Sequence, residues 1–456
     1  MFKNFFLHTF YFKKYSYELL KLITLGLSIF LVMGSYTIFK ELKDSIFMIT
    51  VGAKYLPDVK TISLLIMIPM VLFYGWLSQK IKRETLLICC LIFYGIGGLI
   101  ATFFICHDTI GLYNTVADKS RLFGWFFYLF LEGCSPFLVS AIWSFFNSIS
   151  HPQDIKDSYI KMTVMSKLGG ILFAGAAFIY NTYFFTNTLS CEVNQYSSIM
   201  LFASISILLV PFLVLLLVYN SDKNDLKGYS DDIADTIIKP QIITKNEFFG
   251  LTALLKNPYI LGIFGMTFFW EVINVIFNNL RLNIAFSEAT SLCGITAILY
   301  KNILFMHIFG LLFVLLGTRN IIQYCGERMA LLLIPIVTGS AIIVFLIYPT
   351  TNMIFVTYLI IRAINYTLTF PIREALFIPT TKDIQFKTKS WIDSFGQKFS
   401  KGCGSMYNKS IQLFSLYASY YIQIGFFAVL IFLWTIMSYY LGKKWEKVIK
   451  NKEIIS

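Results

Sequence analysis

Six ionisable residues lie inside long apolar runs of this chain: Glu132, Lys167, Glu271, Lys301, Arg362 and Lys409. Lys40, Lys43, Arg281, Arg373, Glu374, Lys387 and Lys389 stand near the ends of such runs. A charge in hydrocarbon costs about 2.5–3.5 kcal/mol on insertion scales, so each is expected to face a cavity or a partner. Bases outnumber acids in this set. A cavity of that balance suits an anion, because guanidinium and ammonium groups replace the water that a phosphate or carboxylate loses. Long basic side chains also snorkel to headgroups, which is the plainer use of Lys301 and Lys409. Glu132 has no such exit: its side chain is short, and "FYLFLEGCSPFLVSAIW" is apolar on both sides of it. It either pairs with a base of another helix or lines a solute path.

The elements holding these charges follow from composition. The chain has 456 residues, 57% hydrophobic and only 14% charged, against roughly 25% charged in soluble domains. A globular core could not hide so much apolar surface. Disorder, a secreted disulfide scaffold and a nucleic-acid-binding globule are disfavoured together. The net charge of +13 is spread between apolar runs, not along one basic helix. The aromatic content of 18% would suit base stacking, but Phe-rich spans and interfacial Tyr and Trp account for it more simply. The class is an all-α polytopic membrane protein. Twelve runs reach the roughly 20 residues of a spanning helix: 19–39, 61–79, 86–106, 122–146, 163–185, 197–218, 258–278, 293–317, 329–348, 352–370, 403–420 and 421–441. The last pair lacks a clear polar break.

With the N-terminus in the cytoplasm, the inward loops and tails hold 27 Lys and Arg and the outward loops seven. That asymmetry places both termini inside. The basic N-terminal stretch runs into a full-length span without a cleavage site, so the first helix is expected to act as a signal anchor. The eight cysteines lack metal-ligand spacing and the four histidines are scattered, so no metal or haem is expected. Cys191 and Cys293 both fall in predicted outward loops; spacing alone cannot bring them to bonding distance.

Residues 219–257 form a long polar interruption after the sixth span, with "NEFFGLTALLKN" reading as a short amphipathic helix. The chain therefore divides into a six-span half (1–218), a cytoplasmic linker (219–257) and a second six-span half (258–456), the plan of major-facilitator-like transporters with substrate near the midplane. The halves echo each other at about 240 residues. Arg83 matches Gly326-Glu327-Arg328, Ser166-Lys167-Leu168-Gly169-Gly170 matches Ser400-Lys401-Gly402-Cys403-Gly404, and Lys43 matches Arg281. No P-loop, Gly-rich nucleotide fingerprint or nucleophile–His–acid set is present, so neither ATP-driven pumping nor enzymatic catalysis is expected.

Residues 36–60, "YTIFKELKDSIFMITVGAKYLPDVK", resemble the ATP/ADP translocases of plastids, intracellular bacteria and microsporidia. Lys40 stands for that family's Arg, Leu42-Lys43-Asp44-Ser45 keep its motif, and Gly52-Ala53 with Pro57 keep its second. Glu132 followed by "SAIWSFFNSIS", "PIREALFIP" (371–379) with Arg373 for Lys, and "KSWIDSFGQKFSKGCGS" (389–405) with Lys389 at the important lysine are similar to later motifs. One departure stands out: in "VINVIFNNLRLN", Phe277 occupies the place of the family's Glu, and Arg281 that of its Lys.

The resemblance implies a nucleotide transporter importing ATP in exchange for ADP. Lys43, Arg281 and Lys389 are then expected on phosphates, Lys40 and Arg373 in support, and Glu132 pairing with one of these bases in one state of the cycle. The family also holds net or proton-coupled carriers of other nucleotides, which Phe277 keeps open, and a non-transporting relative is a more distant alternative. The expected setting is the bilayer of a bacterial inner membrane, as a monomer, with no cofactor and no nucleic-acid partner.

Overall fold

The computed structural model describes residues 15–149, 152–184, 188–220, 256–289, 291–316, 318–377, 379–381, 384, 388, 391–451, 453 and 455. The linker stretch 221–255, with most of the expected amphipathic helix, lies outside them.

A backbone in hydrocarbon must satisfy its own N–H and C=O groups, and helices do so within one segment. Among the described residues, twelve helical rods follow the predicted spans in order. They are α1 (Tyr15–Phe47), α2 (Leu56–Lys80), α3 (Arg83–Ile105), α4 (Leu122–Glu132) continued by α5 (Ser140–Ser148), α6 (Pro152–Tyr183) and α7 (Leu189–Tyr219). After the linker come α8 (Pro258–Glu288), α9 (Leu292–Leu316), α10 (Thr318–Ile347), α11 (Thr351–Ile364) continued by α12 (Phe370–Leu376), α13 (Gln397–Ile411) and α14 (Leu416–Asn451). Wider π turns join the broken rods: Cys134–Val139 between α4 and α5, and Asn365–Thr369 between α11 and α12. Nine stretches among the described residues are individually long and apolar enough to cross a membrane; the first, Leu19–Leu77, takes in most of both α1 and α2.

Several boundaries differ from the hydropathy reading, and those of the first, seventh and eleventh spans bear on the candidate residues. The first and seventh spans continue through Lys43 and Arg281, so both residues are helical and not loop residues. The helices continue because their extensions bury further apolar groups: Ile46 and Phe47 in α1, Leu282 and Ala285 in α8. The eleventh span is α13, ending at Ile411, with the break at residues 412–415 and not near 420. Hydropathy misplaces it because its polar side chains Ser400, Ser405 and Asn408 are buried. Their bonds run to main-chain carbonyls: Ser400 Oγ donates to Gly396 O (2.7 Å) and Asn408 Nδ2 to Val275 O (3.4 Å). At the predicted turn after the eighth span, Gly326 takes φ 71°, a conformation in which a Cβ is strained, and the kinked α10 crosses only from Arg328.

The chain forms two compact units: Met1–Gly52 with Pro69–Ile243 and Ala289–His307, and Ala53–Ile68 with Thr244–Glu288 and Ile308–Ser456. In the first, α1 packs on α6 and α7, and α3 on α7. Gly169 makes the α1–α6 approach possible, since a Cβ there would meet the Phe30 main chain. In the second, α8 packs on α13 and α14, and α10 on α14. Gly404 sits against Val272 O and Val275 at 3.0–3.2 Å from an ideal Cβ. A glycine of each matched motif, Gly169 and its near-equivalent Gly404 one position further on, thus serves the same end, close contact between the first and fifth rods and between the seventh and eleventh. Cys191 and Cys293 are free thiols, and Cys293 donates to Gln195 Oε1 (2.6 Å), so the disulfide left open by the sequence does not form.

Candidate functional site

In the first unit the charged residues gather where α1 meets α4. The α1 extension that carries Lys43 ends in the π turn Met48–Gly52, where Gly52 takes φ 117°. That positive φ explains the glycine of the Gly52-Ala53 motif: the chain reverses there, before α2 begins with Pro57 in its first turn. Lys43 is buried, donates to the Glu132 carboxylate, lies 3.9 Å from Asp44 Oδ1 and sits 4.6 Å over the ring of Tyr128. Tyr128 precedes Glu132 by one helical turn on α4, so both face α1. Glu132 is a third exposed, whereas Glu41 and Asp44 are fully enclosed. Lys40 lies 3.9 Å from Glu41. One ammonium held by two carboxylates leaves no excess positive charge around Lys43, so an anion reaches it only if Glu132 releases it.

In the second unit Arg281 is completely buried. Its Nη2 donates to Asn278 Oδ1 (3.1 Å), which also accepts from the Tyr358 hydroxyl (3.0 Å), and the guanidinium lies 5.2 Å from the Tyr358 ring centroid. Arg362, one turn beyond Tyr358, lies 5.9 Å from that ring and 5.8 Å from Tyr366. Arg373 is tied elsewhere: Nη1 contacts Asp393 at 3.1 Å and Thr267 Oγ1 at 3.3 Å, and Nη2 approaches Glu374 at 3.8 Å. Glu271 faces Lys401 (3.8 Å) and Asn274 (3.4 Å). Phe277 is fully buried against Phe345 and Phe427, with centroids 5.3 and 5.6 Å apart. Lys389 lies outside the described residues.

Of the predicted set, the structure brings Lys43 to Glu132 and ties Lys40 to its neighbour on α1, and it keeps Arg281 and Arg373 in separate clusters of the second unit. Lys409, read from sequence as a snorkelling residue, is exposed and paired with Asp58. The sequence reading missed Tyr128, Tyr358, Tyr366 and Asn278. Their signal was available: tyrosines one turn from Glu132 and Arg362 share those residues' helix face. Among the described residues no group of three or more His, Cys, Asp or Glu could hold a metal ion.

No protein-family model matches the chain. It is 21% identical, over 85% of its length and 86% of the relative's, to ADP,ATP carrier protein 3 of Rickettsia prowazekii (strain Madrid E). Identity is also 21% to ADP,ATP carrier protein 3 of Rickettsia bellii (strain RML369-C), covering 96% of this chain and 95% of that one. The fold is similar to a D-xylose-proton symporter (TM-score 0.65, 13% identity, 94% and 97% of the two chains). It is also similar to the nucleoside transporter NupG (TM-score 0.61, 13% identity, 91% and 98%). A third likeness is to a POT family transporter in complex with 5-aminolevulinic acid (TM-score 0.59, 12% identity, 93% and 96%). The chain is an integral membrane protein with the twelve-helix, major-facilitator-like fold shared by these transporters.

Proposed function

We propose that this protein is a nucleotide transporter that imports ATP in exchange for ADP by alternating access. The observation that carries the reading is the ion pair between Glu132 of α4 and buried Lys43, which lies on the α1 motif that resembles the ATP/ADP translocases. The names of the two rickettsial relatives support the nucleotide as cargo. The transporter fold of the neighbours supports a non-enzymatic role.

In this reading Glu132 holds Lys43 while the site is empty and yields it to phosphate when the nucleotide enters. A buried ammonium stripped of its carboxylate is costly, so phosphate binding and loss of the internal pair are coupled. Such an exchange of partners lets substrate bias one conformation over another. Arg281 and Lys389 act on phosphates with Lys43; Lys40 and Arg373 support them. Exchange of a four-minus for a three-minus species moves one net charge, about 2.3 kcal/mol per 100 mV. Inward movement of ATP against an inside-negative potential therefore needs a steep nucleotide gradient. The transporter functions as a monomer in a bacterial inner membrane with both termini cytoplasmic. Its substrate-binding halves span residues 1–218 and 258–456, joined by the 219–257 linker.

Uptake of radiolabelled ATP by intact bacteria expressing the chain, chased with external ADP, tests this. Rapid uptake with ADP-triggered efflux is expected. Membrane-inserted protein that moves neither nucleotide refutes it. Phe277 favours a second reading, net or proton-coupled movement of another nucleotide or anion; uptake without counter-exchange, or competition by a different nucleotide, would select it.

A further inference from the structure

The last helix, α14, keeps one face buried along most of its length: Phe427, Leu430, Trp434, Ser438, Leu441 and Val448 recur at helical spacing. The opposite face is exposed, and its chemistry changes in order along the helix. It opens on Tyr417, Tyr420 and Tyr421, continues through Val429, Phe432, Leu433 and Ile436, and reaches Tyr439 and Tyr440. Lys443, Lys444, Lys447 and Lys450 follow on the same side, each exposed.

Tyrosine favours the boundary between hydrocarbon and headgroups. From Tyr420 to Tyr439 the helix rises about 28 Å at 1.5 Å per residue, close to the ~30 Å thickness of a bilayer's hydrocarbon. The exposed residues between Tyr421 and Tyr439 are all apolar, whereas a path for a charged solute needs polar lining. The order of residue types, and not exposure alone, therefore assigns this face of α14 to lipid.

The two ends of the face differ. On the Tyr417 side the nearest base in the chain is Lys409, which is paired with Asp58. On the Tyr440 side stand the four lysines, next to the start of the membrane crossing of α10. There Arg328 lies 5.5 Å from the Tyr439 ring centroid and 3.0 Å from Glu446. Gly442 permits this approach, since a Cβ there would come within 2.9 Å of Arg328 Cγ. Glu446 is thus engaged by Arg328, and Glu453 accepts from Asn451. No ion pair joins any of the four lysines to a described residue.

We propose that this end of α14 binds anionic phospholipid, with headgroup phosphates against Lys443, Lys444, Lys447 and Lys450 and acyl chains along Phe432, Leu433 and Ile436. A cluster of bases immediately past an interfacial aromatic pair is the arrangement that anionic headgroups favour. The Arg328–Glu446 pair fixes the end of α14 against α10 and so holds the lysines in place. The site is independent of the nucleotide reading, and transport is not its readout.

The test is photolabelling of the purified full chain in phosphatidylcholine nanodiscs that contain a trace of one of two probes. These are phosphatidylglycerol and phosphatidylcholine carrying the same photoreactive group beside the phosphate, with labelled peptides mapped by mass spectrometry. The phosphatidylglycerol probe should label residues 439–450 about tenfold more than the phosphatidylcholine probe, while both label the Tyr417–Tyr421 end alike. In the fourfold variant Lys443→Gln, Lys444→Gln, Lys447→Gln, Lys450→Gln the ratio at 439–450 should fall close to one, and added salt should lower it in the wild-type chain. Equal labelling of 439–450 by the two probes in the wild-type chain overturns the proposal, and that comparison needs no variant to fold. A preference that survives the fourfold substitution overturns it as well. So does the absence of labelling by either probe, the result expected if a second copy of the chain covers this face.

Discussion

Lys43 and Glu132, 89 residues apart in sequence, form a direct ion pair beneath the α1–α4 contact, with the Tyr128 ring on one side of the ammonium and Asp44 on another. The two carboxylates differ in access. Asp44 is enclosed with only 2% of its side chain exposed, and Glu132 keeps 33%. Glu132 is thus the partner able to leave.

Glu132→Ala is expected to abolish uptake of radiolabelled ATP, because Lys43 then has no carboxylate to exchange for phosphate. Lys389→Ala should do the same by removing a phosphate contact. Loss of Glu132 should also lower stability by about 1–3 kcal/mol: a broken buried pair costs more, but Glu132 is partly exposed and Asp44 remains. Thermal unfolding of the membrane-extracted protein reads the stability effect, and uptake per inserted molecule reads the transport effect. Unchanged uptake in both variants would remove these residues from the site.

Gly169 and Gly404 lie in matching motifs and both allow close helix contact, but substitution should affect them unequally. A Cβ at Gly169 meets the rigid Phe30 carbonyl, so Gly169→Ala should destabilise by about 1–3 kcal/mol. At Gly404 the nearest atoms are at 3.0–3.2 Å. The helix-propensity gain of about 1 kcal/mol for Ala over Gly should roughly offset the crowding there. Comparing unfolding midpoints of the two variants checks the ordering; equal effects would contradict the packing described.

Phe277 fills a dry aromatic cluster with Phe345 and Phe427. Phe277→Glu should therefore destabilise by several kcal/mol, since no base among the contacts described compensates the carboxylate. Phe277→Leu should cost about 1 kcal/mol. If Phe277→Glu instead yields a well-folded protein with raised exchange activity, the position faces the transport path and the cluster is not its environment.

A membrane-permeant maleimide should modify half-buried Cys191 well before buried Cys293, whose thiol donates to Gln195. Mass spectrometry of the labelled, unreduced chain reads this directly. A recovered Cys191–Cys293 cross-linked peptide in place of two thiols would overturn the arrangement.

Hydropathy was sufficient for the twelve-rod plan because a run of about 20 apolar residues has one stable state in a bilayer, a helix that bonds its own backbone. It was insufficient for α13, whose buried polar residues bond to main-chain carbonyls, Ser400 to that of Gly396 four residues back and Asn408 to that of Val275, which only folding brings near. The candidate charges were legible for a related reason: Glu132, Arg362 and Lys43 stand out wherever apolar residues surround them. Their partners were not. Whether Glu271 meets Lys401, and whether Lys43 finds Glu132, depends on which helix faces touch, and spacing along one helix carries no information about the next. The residue types of the site are written in the chain; the packing of α1 on α4 and of α8 on α11 decides their pairing, because electrostatic attraction in a low-dielectric interior acts only between groups that folding has already brought within a few ångströms.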